Sequence, residues 1–193
     1  NHLSGIKLFF ISLILSLAYL IGFEPFGYKL IGLLSVSVLF YFASRHEARK
    51  AALIFFLFGF FLYCFGLYWL YISIHIVSGA PKILALILIA ILSAYLSVFY
   101  SIFGFIFVRL HKRILNEWIS FLLIAPSLWT LLEIIRGYSL TGFPWFSLGY
   151  METASLVSSW APIGGVYLVS LIMAMIASSI LLVFLKRSVM SGS

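Results

Sequence analysis

Long apolar runs without a charged residue constrain this chain more than any other feature of its sequence. The run from Ile83 to Val108 is an example, with no Lys, Arg, Asp or Glu. At a rise of about 1.5 Å per residue, a helix of this length crosses the hydrocarbon core of a bilayer, which is about 30 Å thick. Hydrophobic residues make up 64% of the 193 residues and charged residues only 9%, too little polar surface for a water-soluble globule. The surroundings of this chain are therefore predicted to be lipid.

The length of these runs, and their lack of alternation between polar and apolar residues, predict the fold class. In lipid every backbone polar group must be satisfied internally, which leaves helices or a closed barrel, and barrel strands would alternate polar with apolar residues. We predict an all-α integral membrane protein, a bundle of about six transmembrane helices of which the first two are short. The predicted spans cover about 8–23, 30–43, 51–74, 83–108, 118–135 and 163–185. The first two are either thin spans or a re-entrant pair that turns at Glu24–Gly27.

The domain organisation predicted from the sequence is simple. Residues 1–187 form one transmembrane helical domain, and residues 188–193 are read as the start of a connection that the sequence truncates. The first residue is Asn1 rather than Met, which suits a fragment or a processed product. No repeat, low-complexity tract or separate water-soluble domain is visible in the sequence.

The positions of the twelve Lys and Arg residues predict the orientation. If the spans alternate, nine of these residues fall on one side and three, Lys29, Lys82 and Arg136, fall on the other. Cytoplasmic loops carry an excess of Lys and Arg, so both ends of the chain are predicted to lie in the cytoplasm. The net charge of +7 is explained by insertion and by anionic headgroups, and nucleic acid is not predicted as a partner.

Neither a metal site nor a cofactor nor a catalytic residue is predicted in this chain. It has one cysteine, which excludes an internal disulfide and a Cys-rich metal site. Cys64 lies among apolar residues, and the nearest plausible base along the chain is His75, about 16 Å away if the segment is one helix. A thiol needs such a base to become a nucleophile, so Cys64 is interpreted as a small buried hydrophobe.

One face of the fifth predicted span carries unusual side chains. Trp129, Glu133 and Arg136 are spaced i, i+4, i+7, which places them on one face of a helix. That face is predicted to lie at the outer headgroup level, with Glu133 and Arg136 close enough for a helical ion pair. Two interpretations stay open from the residues alone. The face is either an interfacial anchor or a site for a lipid headgroup.

The segment after that helix, Thr141–Tyr150, combines turn-forming Gly and Pro with four large aromatic residues. Non-helical backbone at membrane depth survives only where it packs against protein or lines a cavity. The segment is either a rigid aromatic loop that holds acyl chains or a belt of aromatic residues that rests on lipid.

Three stretches of this sequence resemble the apolipoprotein N-acyltransferase family. The most specific runs from Ala125 to Tyr150 and contains the core Leu-Thr-Gly-Phe-Pro-Trp, which ends at Trp145. The other two are Gly66–His75, followed by Gly79-Ala80-Pro81, and Trp160–Tyr167. In order and spacing the resemblance covers about residues 60–187.

The resemblance implies a function that composition does not show. Enzymes of this family lie in the bacterial inner membrane and add an acyl chain to the N-terminal diacylglyceryl cysteine of lipoproteins. The acyl donor is a phospholipid, commonly phosphatidylethanolamine, and the reaction passes through a thioester on a Glu-Lys-Cys triad in a nitrilase-like domain. This chain lacks that domain, so the resemblance implies the membrane part of an acyltransferase, inactive by itself.

The same resemblance suggests roles for residues near the membrane surface. Arg136 would contact a phosphate or carboxylate, and Glu133 would contact an amine or orient Arg136. Trp69 and Trp145 would form walls of an acyl pocket. The candidate substrate- or lipid-binding residues are Glu133, Arg136, Trp145, Trp69, Trp129, Phe143, Tyr150 and His75.

Two other classes of protein remain open. A small transporter would also have six spans, but it would carry ionisable residues at the centres of its spans, and these centres are almost free of charge. A non-catalytic lipid-binding or scaffold protein of the membrane would have the same segments and no need of a catalytic domain.

Overall fold

Helices dominate the described part of this chain. The computed structural model describes residues 5–114, 116–153 and 155–191, and these residues contain helices, turns and no strand. The predicted all-α membrane bundle is therefore confirmed. The α-helices are α1 (Gly5–Leu20), α2 (Lys29–Arg45), α3 (Ala48–Gly66), α4 (Tyr68–Tyr71), α5 (Lys82–Arg113), α6 (Glu117–Ile119), α7 (Ala125–Tyr138) and α8 (Ala161–Ser191).

Four helical segments are long and apolar enough to cross a membrane. They are Ala48–Gly66, Lys82–Arg113, Glu117–Tyr138 and Ser158–Lys186. The first two helices are shorter, with 16 residues in α1 and 17 in α2, or about 24 to 26 Å of helix each. Several helices extend past the predicted spans. α5 continues from 108 to Arg113 because its terminal Arg and Lys side chains can reach the membrane surface without breaking the helix.

The helices pack as a closed ring. α1 contacts α2 and α3, α3 contacts α5, α5 contacts α7, α7 contacts α8, and α8 returns to α2. Large aromatic side chains fill the centre of the ring. The ring of Phe103 packs against those of Phe40 and Trp129, with centroid distances of 5.4 and 5.3 Å. Aromatic pairs at these distances add stabilisation beyond the area that they bury.

Three predicted spans are interrupted rather than straight. The third divides after Gly66 into α4 and a π-helical turn, Ile72–Val77. The fifth contains a π-helical turn before Pro126, whose missing N–H removes one bond of the regular ladder. The sixth is kinked at Gly165, where φ is 66°, a conformation that glycine adopts without a steric penalty. α8 continues to Ser191, and of the predicted connection over 188–193 the last two residues lie outside the described part.

The crossing of α3 and α5 depends on Gly104. A Cβ atom at this position would lie 2.9 Å from the carbonyl oxygen of Ala51 and 2.9 Å from the ring of Phe55. We therefore expect Gly104→Leu to overpack this crossing and to lower the free energy of unfolding by about 1–3 kcal/mol. Unfolding by a denaturing detergent in mixed micelles measures the change. Gly5→Leu is the matched control because nothing lies within 4 Å of a Cβ at Gly5, and equal losses in both variants would contradict the prediction.

Candidate functional site

The carboxylate of Glu133 accepts hydrogen bonds from two protein groups. Its Oε1 atom accepts hydrogen bonds from the indole Nε1 of Trp129 and from the backbone N–H of Leu148, each at 2.8 Å. Trp129 lies one turn earlier on α7, whereas Leu148 belongs to the segment that follows the helix. Glu133 therefore ties that segment to the helix. Its Oε2 atom is buried and has no hydrogen-bond partner among the described residues.

The guanidinium of Arg136 joins three parts of the chain. Its Nη1 atom donates to the hydroxyls of Tyr63 on α3 and Tyr100 on α5, the latter at 3.1 Å. Its Nη2 atom donates to the hydroxyl of Ser147 at 2.8 Å. A planar guanidinium can serve several acceptors in fixed directions, which one ammonium group cannot do in the same way. Arg136 thereby connects two helices with the segment after α7.

The side chains of this face are buried. Trp129, Glu133 and Arg136 are only 2%, 3% and 2% exposed, and they point into the bundle. The predicted ion pair between Glu133 and Arg136 is absent, since among the described residues the one ion pair within 4 Å joins Lys29 to Glu152. The spacing indicated a shared face but not its direction. The face turns inward because α3 and α5 supply tyrosine hydroxyls that satisfy the guanidinium.

The space beside Glu133 and Arg136 is too small for a lipid. The void there has a volume of about 10 Å³. A cavity of this size holds about one water molecule. In this structure the two side chains bind protein groups, and the direct lipid contacts proposed for them stay predictions. The lining consists of Phe99, Tyr100, Phe103, Trp129, Leu132, Glu133 and Arg136.

The segment Pro144–Tyr150, called here the Pro144–Tyr150 loop, is fixed by helices on several sides. Besides the bonds from Glu133 and Arg136, the hydroxyl of Tyr19 on α1 donates to the carbonyl of Phe146 at 2.9 Å. On the other side, the N–H of Gly149 donates to the hydroxyl of Ser170 on α8 at 2.8 Å. Phe146 has φ of 62°, a strained value for a bulky residue. Such strain persists only where surrounding contacts determine the conformation, as they do here.

An open groove lies beside this loop. Its volume is about 480 Å³, within the range of sites that bind small molecules. The ring of Trp145 is 50% exposed at the groove and packs against Phe143 with 5.0 Å between ring centroids. Of the residues predicted to contact substrate, Trp145 and Tyr150 line it. The complete lining is Phe23, Glu24, Pro144, Trp145, Phe146, Tyr150 and Thr153.

Two further predicted residues lie elsewhere. Trp69 is in α4 and His75 is in the following π-helical turn, and neither lines the groove. The Nδ1 atom of His75 lies 2.7 Å from the carbonyl oxygen of Ala80, so the ring is bound to its own loop. The structure therefore divides the predicted residues into a buried network, a groove wall and a separate segment.

Sequence reasoning missed the partners that bury the arginine. Tyr63 and Tyr100 received no role, although a tyrosine inside an apolar span brings a hydroxyl that needs a hydrogen-bond partner. The need of these hydroxyls for a partner was the feature of the sequence that could have identified Tyr63 and Tyr100. Ser147 gave none, because a serine in a loop is an ordinary turn residue. In the described part of the chain no three His, Cys, Asp or Glu side chains cluster to hold a metal ion.

The fold and the site define a helical membrane protein with an aromatic groove beside a fixed loop. A family model described as the apolipoprotein N-acyltransferase N-terminal domain matches residues 15–179. The chain belongs to this family. The resemblance inferred from the motif around Trp145 is confirmed by this match.

Proteins named apolipoprotein N-acyltransferase are similar to this chain over most of its length. The protein of Vibrio cholerae is 36% identical over 167 residues, which are 86% of this chain and 33% of that protein. The protein of Photobacterium profundum is 32% identical over 82% of this chain and 30% of its own length. The protein of Shewanella oneidensis is 31% identical over 97% of this chain and 36% of its own length. The chain thus spans about a third of the length of these relatives.

Proposed function

We propose that this chain is the membrane part of an apolipoprotein N-acyltransferase that acts in lipoprotein biosynthesis in the bacterial inner membrane. The reaction would move an acyl chain from a phospholipid to the N-terminal diacylglyceryl cysteine of a lipoprotein. The observation that carries the proposal is the family match over residues 15–179, which includes the fixed loop and its groove. The relatives' names support the reaction type.

In this proposal the chain binds and positions, and it supplies no reacting group. The groove would take the lipid-bearing substrate against the rings of Trp145 and Tyr150. Glu133 and Arg136 would act as positioning residues, because their hydrogen bonds fix the loop that carries Trp145. The reacting residues would belong to a nitrilase-like domain that is not among these residues.

An acyl-transfer assay in membranes tests the proposal. Labelled phosphatidylethanolamine is the donor, a diacylglyceryl-cysteine peptide is the acceptor, and the chain is used with and without a nitrilase-like domain from a relative. Transfer only when both parts are present is the expected result. No transfer in either case, together with no lipid binding by the chain, would contradict it and favour a scaffold role.

The proposed orientation places both ends of the chain in the cytoplasm. In a Cys64→Ala background, Ser78→Cys should react with a membrane-impermeant maleimide added to spheroplasts, because Ser78 lies in the outer loop of this topology. Glu47→Cys, which is also exposed but lies in an inner loop, should react only after the membrane is permeabilised. The reverse labelling pattern would overturn the orientation.

A further inference from the structure

The groove beside the Pro144–Tyr150 loop has one acidic group on an otherwise aromatic and uncharged lining. That group is Glu24, an exposed residue of the turn between α1 and α2. Across the described residues, no Lys or Arg nitrogen lies within 4 Å of its carboxylate. The neighbouring lysine, Lys29, pairs instead with Glu152 at 3.2 Å. The charge of Glu24 is therefore not neutralised by a protein cation.

The walls around Glu24 are held in place. Phe23 is buried, and its ring meets that of Phe146 edge to face with 5.4 Å between centroids. Gly27, with φ of 67°, turns the chain under the carboxylate. The two carboxylate oxygens lie 3.5 and 3.6 Å from where a Cβ at Gly27 would be. The turn thus brings the carboxylate close to the backbone of Gly27, in a groove whose lining also includes aromatic rings.

The combination of a carboxylate with aromatic rings favours the binding of a cation. Aromatic faces attract ammonium groups through the negative face of the ring, and a carboxylate adds direct charge attraction. A zwitterionic phospholipid headgroup would bring a phosphate for which the groove lining offers no Lys or Arg. An amphiphile that carries an ammonium group and no phosphate complements the groove better.

We propose that Glu24 and the aromatic walls of this groove bind the free α-ammonium group of an N-terminal lipidated cysteine. This inference rests on the proposed function, which supplies such an acceptor. It adds a residue from the α1–α2 turn to the binding site and assigns it the amine. Glu24 is then a specificity-determining residue that recognises the charge of the acceptor, while the rings of Trp145 and Tyr150 cover its apolar part.

The charge of Glu24 would give the acceptor and the acylated product different affinities for the groove. When the amine is acylated, an N–C bond forms to the acyl carbon and the bond from that carbon to its donor breaks. The leaving atom takes one proton from the nitrogen, the second proton goes to solvent, and the nitrogen becomes an uncharged amide. The attraction to Glu24 disappears at that point. The groove would therefore hold the acceptor more tightly than the acylated product.

Binding to two matched peptides tests this inference without any acyl transfer. The whole chain in detergent micelles is titrated with a diacylglyceryl-cysteine peptide that has a free amine, and with the same peptide N-acetylated. We expect the free amine to bind between about 3-fold and about 30-fold more tightly, the combined range of an exposed cation–π contact and an exposed ion pair. Glu24→Gln removes the ion pair and should reduce the preference to the about 2-fold to about 5-fold that the cation–π contact alone supplies, whereas Glu47→Gln, a matched exposed glutamate, should leave the preference unchanged.

The outcomes separate the amine site from the function on which it rests. Equal affinity of the unchanged chain for both peptides would overturn the amine site, even if the acyl-transfer assay succeeds. A preference for the free amine that Glu24→Gln leaves undiminished would also overturn it. Titration with short-chain phosphatidylethanolamine and phosphatidylglycerol completes the test. If Glu24→Gln weakens only the binding of phosphatidylethanolamine, the ammonium group that Glu24 recognises is that of a phospholipid. The acceptor assignment is then wrong.

Discussion

Glu133→Leu is expected to lower the free energy of unfolding by about 2–6 kcal/mol. The substitution removes the oxygen that accepts from the indole of Trp129 and from the backbone of Leu148. Both donors are then buried without a partner, and each such group costs about 1–3 kcal/mol. Because Leu148 belongs to the Pro144–Tyr150 loop, the loop should also loosen. Detergent-induced unfolding measures the stability, and the rate of chymotrypsin cleavage near Trp145 measures the loosening.

Glu133→Gln is the matched control for this experiment. The amide keeps an oxygen that can accept from both donors, and it removes a buried charge whose Oε2 atom has no partner in the described part of the chain. These two effects oppose each other, so we expect a change within about 1 kcal/mol and an unchanged rate of cleavage. If Gln is as damaging as Leu, the charge of Glu133 and not its acceptor oxygen supports the loop.

The presence of helices at membrane depth could be predicted from composition. Apolar runs such as 83–108 determine a helix at membrane depth, because no other structure satisfies the backbone there. The interruptions of these helices were harder to predict from the sequence. Pro126 and the Gly164-Gly165 pair are visible breakers, yet the sequence does not say whether a helix ends, widens or kinks at such residues. Neighbouring helices decide that, and a single sequence does not show them.

The candidate site was predicted in part for the same reason. The spacing of Trp129, Glu133 and Arg136 correctly placed them on one helical face. Its direction depends on which helix offers hydroxyls, and Tyr63 and Tyr100 are 73 and 36 residues away from Arg136 in the chain. No local pattern carries that information. The groove presents the same difficulty, since Glu24 and Trp145 come to line one groove only after the ring of helices closes.

Arg136 and Tyr63 are expected to be coupled in a double-mutant cycle. Arg136→Met should lower the free energy of unfolding by about 1.5–4.5 kcal/mol, since three hydrogen bonds of about 0.5–1.5 kcal/mol each are lost. If part of that loss belongs to the bond with Tyr63, then Tyr63→Phe should cost less in the Arg136→Met background than alone. Double-mutant cycles of hydrogen bonds between membrane helices average about 0.6 kcal/mol and reach about 1.7 kcal/mol, so a coupling of about 0.6–1.7 kcal/mol is expected.

The control for this cycle is Tyr71→Phe, combined with Arg136→Met in the same way. Tyr71 packs against His75, with 5.2 Å between the rings, and takes no part in the arginine network. Distant positions add within about 0.5 kcal/mol, so no coupling is expected there. A coupling for Tyr63 no larger than for Tyr71 would mean that the tyrosine does not hold the guanidinium. The guanidinium would then be held by the hydroxyls of Tyr100 and Ser147. The coupling energy therefore tests whether the buried network reaches α3 through Tyr63.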